Sequence, residues 1–278
     1  MQTAAIFGPV GVMQLELPPA EELLLPGVPW GRVEGFPTPA YWAYQVMSKR
    51  VLGGPPEYKL GHTLAEEVTA CLLGGHGIPA AVGIVAFERL RERGVLTGTP
   101  TEEELLTLLE EPLTINGRAV RYRFAKQKAR YISEALKRVA IGDAPLQTGK
   151  VLRDWLLQIN GIGPKTASWI ARNWLRADDV AILDIHILRV GVTIGLFPKH
   201  LTVERHYFAL EELFLAFSQS MGVRASELDA VIWFEMARSP LSTQVMLGNK
   251  LPSTSGSSTK VRATKQRHSN SAQASLLI

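Results

Sequence analysis

One segment of this 278-residue chain constrains its fold more than any other. In Val151 to Trp174, VLRDWLLQINGIGPKTASWIARNW, the residues Leu152, Trp155, Leu156 and Ile159 recur at the i, i+3, i+4, i+7 spacing of a single helical face. Ala167, Ile170, Ala171 and Trp174 repeat that spacing after a break. The break is Asn160-Gly161-Ile162-Gly163-Pro164. Its two glycines admit positive φ, the isoleucine between them can plug a core, and the proline suits the first turn of a helix. The pattern predicts two amphipathic helices joined by a tight hairpin. The second helix then begins with bare N–H groups and little side-chain bulk above them, an arrangement that can hold a phosphate without reading any base.

The same logic extends upstream and downstream. Thr38-Pro39 opens a helix through AYWAYQVMSKRVL, which Gly53-Gly54-Pro55-Pro56 stops. Thr63 with Glu66 and Thr101 with Glu104 have capping-box spacing, each ahead of an apolar-periodic run. Ser226 can cap a last helix, ELDAVIWFEMAR. Alternating strand patterns are scarce, and the proline-rich first 37 residues fit no regular element. The expected fold class is all-α, as one domain over residues 1–239. Residues 240–278, rich in Ser and Thr and without periodicity, read as a disordered tail that cannot offset its ordering entropy by burial.

Charge and cysteine usage narrow the function classes. The net charge is +4, but Ser239 to Ile278 contributes five basic residues and no acid, which leaves the remainder at −1. A polyanion would therefore bind the folded part through a local patch and not through a global field. The densest patch runs from Arg118 to Arg130, six basic residues with Tyr122 and Phe124 interleaved. Lys126 and Arg130 in it share a helical face that suits phosphates and equally suits plain solvation. The tail is either a basic arm or a solvated extension. A single cysteine, Cys71, excludes an intrachain disulfide, a cysteine-rich zinc site and a four-cysteine cluster. No apolar run is long enough for a membrane helix, and no Lys or Arg precedes Arg32, so neither a membrane partner nor a secretory leader is expected.

Leu156 to Ser168, LLQINGIGPKTAS, resembles the helix-hairpin-helix motif of the DNA glycosylase superfamily. Lys165 falls where bifunctional members carry a nucleophilic lysine, and Asp184, 19 residues on in VAILDIHILRVGV, falls where they carry a catalytic aspartate. The strings RYRFAKQKARYISEALK and ELDAVIWFEMAR are similar to the corresponding helices of archaeal-type 8-oxoguanine glycosylase/lyases. The resemblance implies two helical subdomains with the active cleft between them. It also implies a monomer acting on damaged double-stranded DNA, without cofactor or metal, in the cytoplasm of a prokaryote or the nucleus of a eukaryote. Without an iron–sulfur cluster, and with a lysine in place, an oxidised purine is the expected substrate. An enzyme for other oxidised or alkylated bases and a noncatalytic DNA-binding module are the alternatives.

Physical chemistry supports the pairing independently. The positive end of a helix disfavours an ammonium and so favours the free, nucleophilic amine at Lys165, although a solvated lysine touching phosphate would fit the same position. Asp184 is an acid set into an apolar stretch, where it can cap the helix from His186, face a cationic transition state, or do both. An enzyme acting on a stacked base must flip it and fill the gap. Gly74-Gly75-His76-Gly77-Ile78 resembles the family's duplex-entering loop, with His76 or Ile78 as wedge, against the alternative of an ordinary glycine turn. By resemblance, His186, Asp229, Trp233 and Phe234 are the pocket candidates, with core packing for the two aromatics and a capping box between Ser226 and Asp229 as the bland readings.

Overall fold

The computed structural model describes residues 1–53, 59–75 and 77–238. Among the described residues ten helices dominate: α1 (Pro39–Gly53), α2 (Leu64–Leu73), α3 (Ala80–Glu92), α4 (Glu102–Glu110), α5 (Ala125–Ala140), α6 (Gly149–Leu156), α7 (Pro164–Leu175), α8 (Ile185–Thr193), α9 (Val203–Ser220) and α10 (Ala225–Arg238). Three two-stranded hairpins accompany them: β1 (Gln2–Gly8) with β2 (Gly11–Leu17), β3 (Leu23–Leu25) with β4 (Val28–Pro29), and β5 (Leu113–Ile115) with β6 (Arg118–Val120). The fold is helical as expected, with these small ribbons added. Residues 240–278 and His76 lie outside the described residues, so the tail and that wedge candidate have no structural account.

Local sequence explains the helix starts. Thr101 and Glu104 form a complete capping box at α4. At α2 the Glu66 backbone N–H donates to Thr63 Oγ1 at 3.2 Å, but the Glu66 carboxylate reaches back to the N–H of His62 and not to that of Thr63. Ser226 does not cap α10. The helix already includes Ala225, and the Ser226 N–H donates to Asp178 Oδ1 at 3.2 Å, so an acid from a distant loop serves that terminus. The β5–β6 turn is Asn116-Gly117 with φ of 50° and 75°, the mirror-type turn that this dipeptide favours.

Two apolar cores divide the molecule. The first gathers α2 to α7, with Val68, Leu72, Leu90, Leu105, Ile132 and Leu152 at its centre. The second gathers the β1–β4 segment, α1 and α8 to α10 around Trp42, Phe214 and Phe217. Both chain ends of the described region thus belong to one lobe, and the middle of the chain forms the other. The segment Val180 to Leu183 crosses between them: Val180 packs in the first core, Ala181 and Leu183 in the second. Asp184 follows directly at the junction. Among the described residues no helix is long and apolar enough to cross a membrane.

Candidate active site

The hairpin forms as its periodicity predicts. Leu152, Leu156 and Ile159 of the first arm and Ala167, Ile170 and Ala171 of the second are buried against one another, and Ile162 is 5% exposed between them. The turn is longer than the five residues its glycines suggest, because α6 ends at Leu156 and the Ile159 and Ile162 N–H groups turn back onto the carbonyls of Leu156 and Ile159. Gly161 has φ of 86°, and a Cβ there would stand 2.3 Å from Cγ of the Tyr131 ring. Only glycine satisfies both demands. Gly163 is the N-cap of α7, carries no side-chain cap and has open space where a Cβ would be. The bare helix terminus is present, with Pro164 and then Lys165 in its first turn.

Lys165 is half-buried. Asp184 is the N-cap of α8, its Oδ1 accepting from the His186 and Ile187 N–H groups at 2.8 and 3.0 Å, and its Oδ2 has no hydrogen bond among the described residues. One oxygen is therefore committed to the cap while the other is available. His186 connects the two: burial lowers its pKa first, Asp184 pulls it up, and the cations of Arg189 and Lys165 push it down. Its Nδ1 is buried without a hydrogen-bond partner. The His186 ring is thus within electrostatic range of both the Asp184 and the Lys165 charge.

A crevice open to solvent is lined in part by Asp184. Its walls are Trp169, Arg172, Ile182, Asp184, Asp229 and Trp233, with Ala230. Trp169 is one turn beyond Lys165 on α7, so the face that carries the amine also carries an indole wall. Of the pocket candidates, Asp229 and Trp233 line the crevice and His186 adjoins it through Asp184. Phe234 is not among the lining residues; its ring lies under the Lys49 ammonium at 4.1 Å. Asp229 is 2% exposed and is bound to the protein itself, Oδ2 accepting from the Ile182 N–H at 3.0 Å and Oδ1 standing 3.4 Å from Arg172 Nη2. It does not form a capping box with Ser226. Burial raises its pKa to about 6 against the opposing effects of Arg172 and that N–H.

The basic helix adjoins the hairpin. Lys126 and Arg130 are exposed on α5, and the Arg130 guanidinium lies 5.2 Å from the centre of the Tyr131 ring on which Gly161 packs. Lys128, by contrast, is turned inward, with its pKa lowered by burial and its Nζ 3.4 Å from the Gly74 carbonyl. Tyr122 donates to the neighbouring Leu73 carbonyl at 2.6 Å. The loop after α2 is thus tied to α5, and the space at Gly77 borders Arg123 and Phe124. Ile78 is 4% exposed in the first core and is not a wedge in this conformation. Among the described residues no three His, Cys, Asp or Glu side chains gather to hold a metal ion.

Sequence reasoning missed the residues that hold Asp184 in place. Glu211 and Tyr207 of α9, with Arg153 of α6 and Ser168 of α7, form a buried polar network around Ala181 and Leu183. Acids and arginines on amphipathic helices resemble solvent-facing charge, and no local signal distinguishes these.

Comparison with known proteins identifies the family. The family model described as 8-oxoguanine DNA glycosylase matches residues 58–223. An 8-oxoguanine DNA glycosylase/AP lyase of Korarchaeum cryptofilum is 31% identical over 178 residues, covering 62% of this chain and 78% of that protein. One from Methanocaldococcus jannaschii is 34% identical over 149 residues, covering 51% and 71%. The solved complex of the M. jannaschii 8-oxoguanine glycosylase/lyase with a 15mer DNA containing 8-oxoguanine superposes with a TM-score of 0.50 at 26% identity, covering 75% of this chain and 95% of that one. With a hairpin, a lysine and an aspartate on two cores and a family match over most of the described lobes, this chain belongs to the 8-oxoguanine DNA glycosylase family.

Proposed function

We propose that the protein is a base-excision repair enzyme, a DNA glycosylase with AP lyase activity that removes 8-oxoguanine from duplex DNA. The single observation that carries this reading is a half-buried Lys165 in the first turn of an uncapped helix, one turn before Trp169, which with Asp184 lines an indole-walled crevice between the two lobes. Phosphates of the duplex lie against the open α7 terminus at Gly163 and along Lys126 and Arg130, contacts that fix register without reading sequence. The flipped nucleotide enters the crevice, where Trp169 and Trp233 offer aromatic faces.

The chemistry follows from the two groups. The Lys165 amine attacks C1′ of the damaged nucleoside and forms a C–N bond as the bond from C1′ to the purine nitrogen breaks; the base leaves with the electron pair and takes up a proton, and the nitrogen of the new bond gives one up. The Asp184 carboxylate stabilises the positive charge that develops on the sugar, and its cap bonds hold it there without reorganisation. Opening of the sugar ring converts the adduct to a Schiff base. Loss of a C2′ proton then expels the 3′ phosphate, so excision and strand cleavage share one intermediate.

A panel of duplexes tests the substrate assignment, each carrying one lesion opposite each of the four bases and assayed by single-turnover excision. Fastest release of 8-oxoguanine supports the assignment. Preferential release of an oxidised pyrimidine or an alkylated base overturns it, and binding without release of any base leaves only a DNA-binding module.

A further inference from the structure

Three consecutive peptide N–H groups lead into Asp184, and each ends on a buried side chain of the second lobe. That of Ala181 donates to Glu211 Oε1 at 2.9 Å, that of Ile182 to Asp229 Oδ2 at 3.0 Å, and that of Leu183 to the Tyr207 hydroxyl at 3.2 Å. The Tyr207 hydroxyl in turn donates to the Ala181 carbonyl at 2.7 Å. The segment has no helix or sheet of its own to satisfy these groups, and burial denies it water, so its path is set by the three side chains.

Asp229 also reaches α7, through Arg172, whereas Glu211 reaches both arms of the hairpin. Glu211 is 1% exposed on α9. Oε1 also accepts from Ser168 Oγ at 2.9 Å, and Oε2 accepts from Arg153 Nη1. Ser168 stands one turn beyond Lys165 on α7, and Arg153 is on α6, so both arms of the hairpin meet the same carboxylate that holds the segment carrying Asp184. The adjacent Glu212 is exposed and makes none of these contacts.

We propose that Glu211 is a positioning residue that fixes the separation of the Lys165 amine and the Asp184 carboxylate by joining the hairpin to the Ala181–Leu183 segment across the lobe junction. The inference rests on the glycosylase reading above. Base excision needs amine and carboxylate at one sugar simultaneously, and a misplacement of about 1 Å can cost on the order of 100-fold in rate. Strand cleavage at a preformed abasic site needs the amine but no departing base, so it depends less on the pairing.

The test uses the full chain on two duplexes, one with 8-oxoguanine and one with a preformed abasic site, under single-turnover conditions. Ser168→Ala cuts Glu211's link to the nucleophile's helix while leaving the Asp229–Arg172 link in place, and Glu211→Leu removes every acceptor Glu211 supplies. Excision is expected to fall about 10-fold and about 100-fold respectively, while abasic-site cleavage falls less than about threefold and duplex Kd changes less than about twofold. The double variant Arg153→Leu, Glu211→Gln deletes the buried charge pair together but keeps an oxygen for Ser168 and Ala181. It is expected to excise within about fivefold of wild type, and it keeps the test decisive should Glu211→Leu not fold. Equal losses on both duplexes, or wild-type excision by Ser168→Ala together with a double variant that fails to recover, overturns the positioning role. Inactivity of the wild-type protein on both duplexes instead removes the glycosylase reading itself.

Discussion

Burial raises the Asp229 carboxyl from its ordinary 3.8 to about 6, with Arg172 and the Ile182 N–H pulling the other way. An acid whose pKa rises on folding binds more protons in the folded chain than in the unfolded one throughout that interval. Its contribution to stability is therefore greatest at the acid end and declines as pH climbs through about 6. Asp229→Asn keeps an oxygen for Ile182 and carries no charge. The melting temperature of the variant minus that of the wild type is expected to increase from about pH 4 to about pH 7, and a difference that stays flat would exclude the buried carboxyl as its source. Legibility at this scale divides sharply. Asp184 declared itself because an acid interrupts an apolar run, and its capping role is readable from the helix that follows. Glu211 did not, because it stands beside Glu212 in an amphipathic helix and its partners Arg153 and Ala181 lie 58 and 30 residues away.

At the scale of elements, the two hairpin glycines separate structure from binding. Gly161→Ala forces a methyl group into the Tyr131 ring at a positive φ and is expected to destabilise the fold by about 2–4 kcal/mol, read as a lower denaturation midpoint. Gly163→Ala meets open space and is expected to leave that midpoint nearly unchanged while weakening duplex binding, since its methyl group stands where a phosphate approaches. Comparable destabilisation by both would contradict the separation. Removing the exposed charge at Lys126 or Arg130 is expected to lower the dependence of log K on log salt by about one each, whatever the duplex sequence. Helices α1, α2, α4, α6, α7 and α10 were legible because apolar spacing and caps are local; α9, whose N-cap Thr202 makes no side-chain cap bond, carried no such signal. The strands were not: β1 alternates in burial, but its inward side carries Gln2 and its exposed side Phe7, so polarity does not follow the alternation, and in β2 only Leu17 is buried. The Asn116-Gly117 turn carried a readable hairpin signal, but its three-residue flanks are too short to stand out.

For the whole molecule, the decisive arrangement is the crossing of one extended segment between two cores, which delivers Asp184 to the crevice that Trp169 and Arg172 of α7 also line. Sequence spacing pointed to both groups; that they belong to opposite sides of one junction follows only from long-range packing, in which the beginning of the chain folds onto α8 to α10. The folded part carries almost no net charge, so duplex binding depends on where the cations sit and not on how many there are. The proposed mechanism assigns the attack to Lys165. The most direct measurement is reduction with borohydride during reaction with an 8-oxoguanine duplex, followed by mass mapping of the trapped peptide. A covalent adduct on Lys165 that disappears in Lys165→Gln is the result this account predicts; an adduct on another residue, or one that survives the substitution, would contradict it.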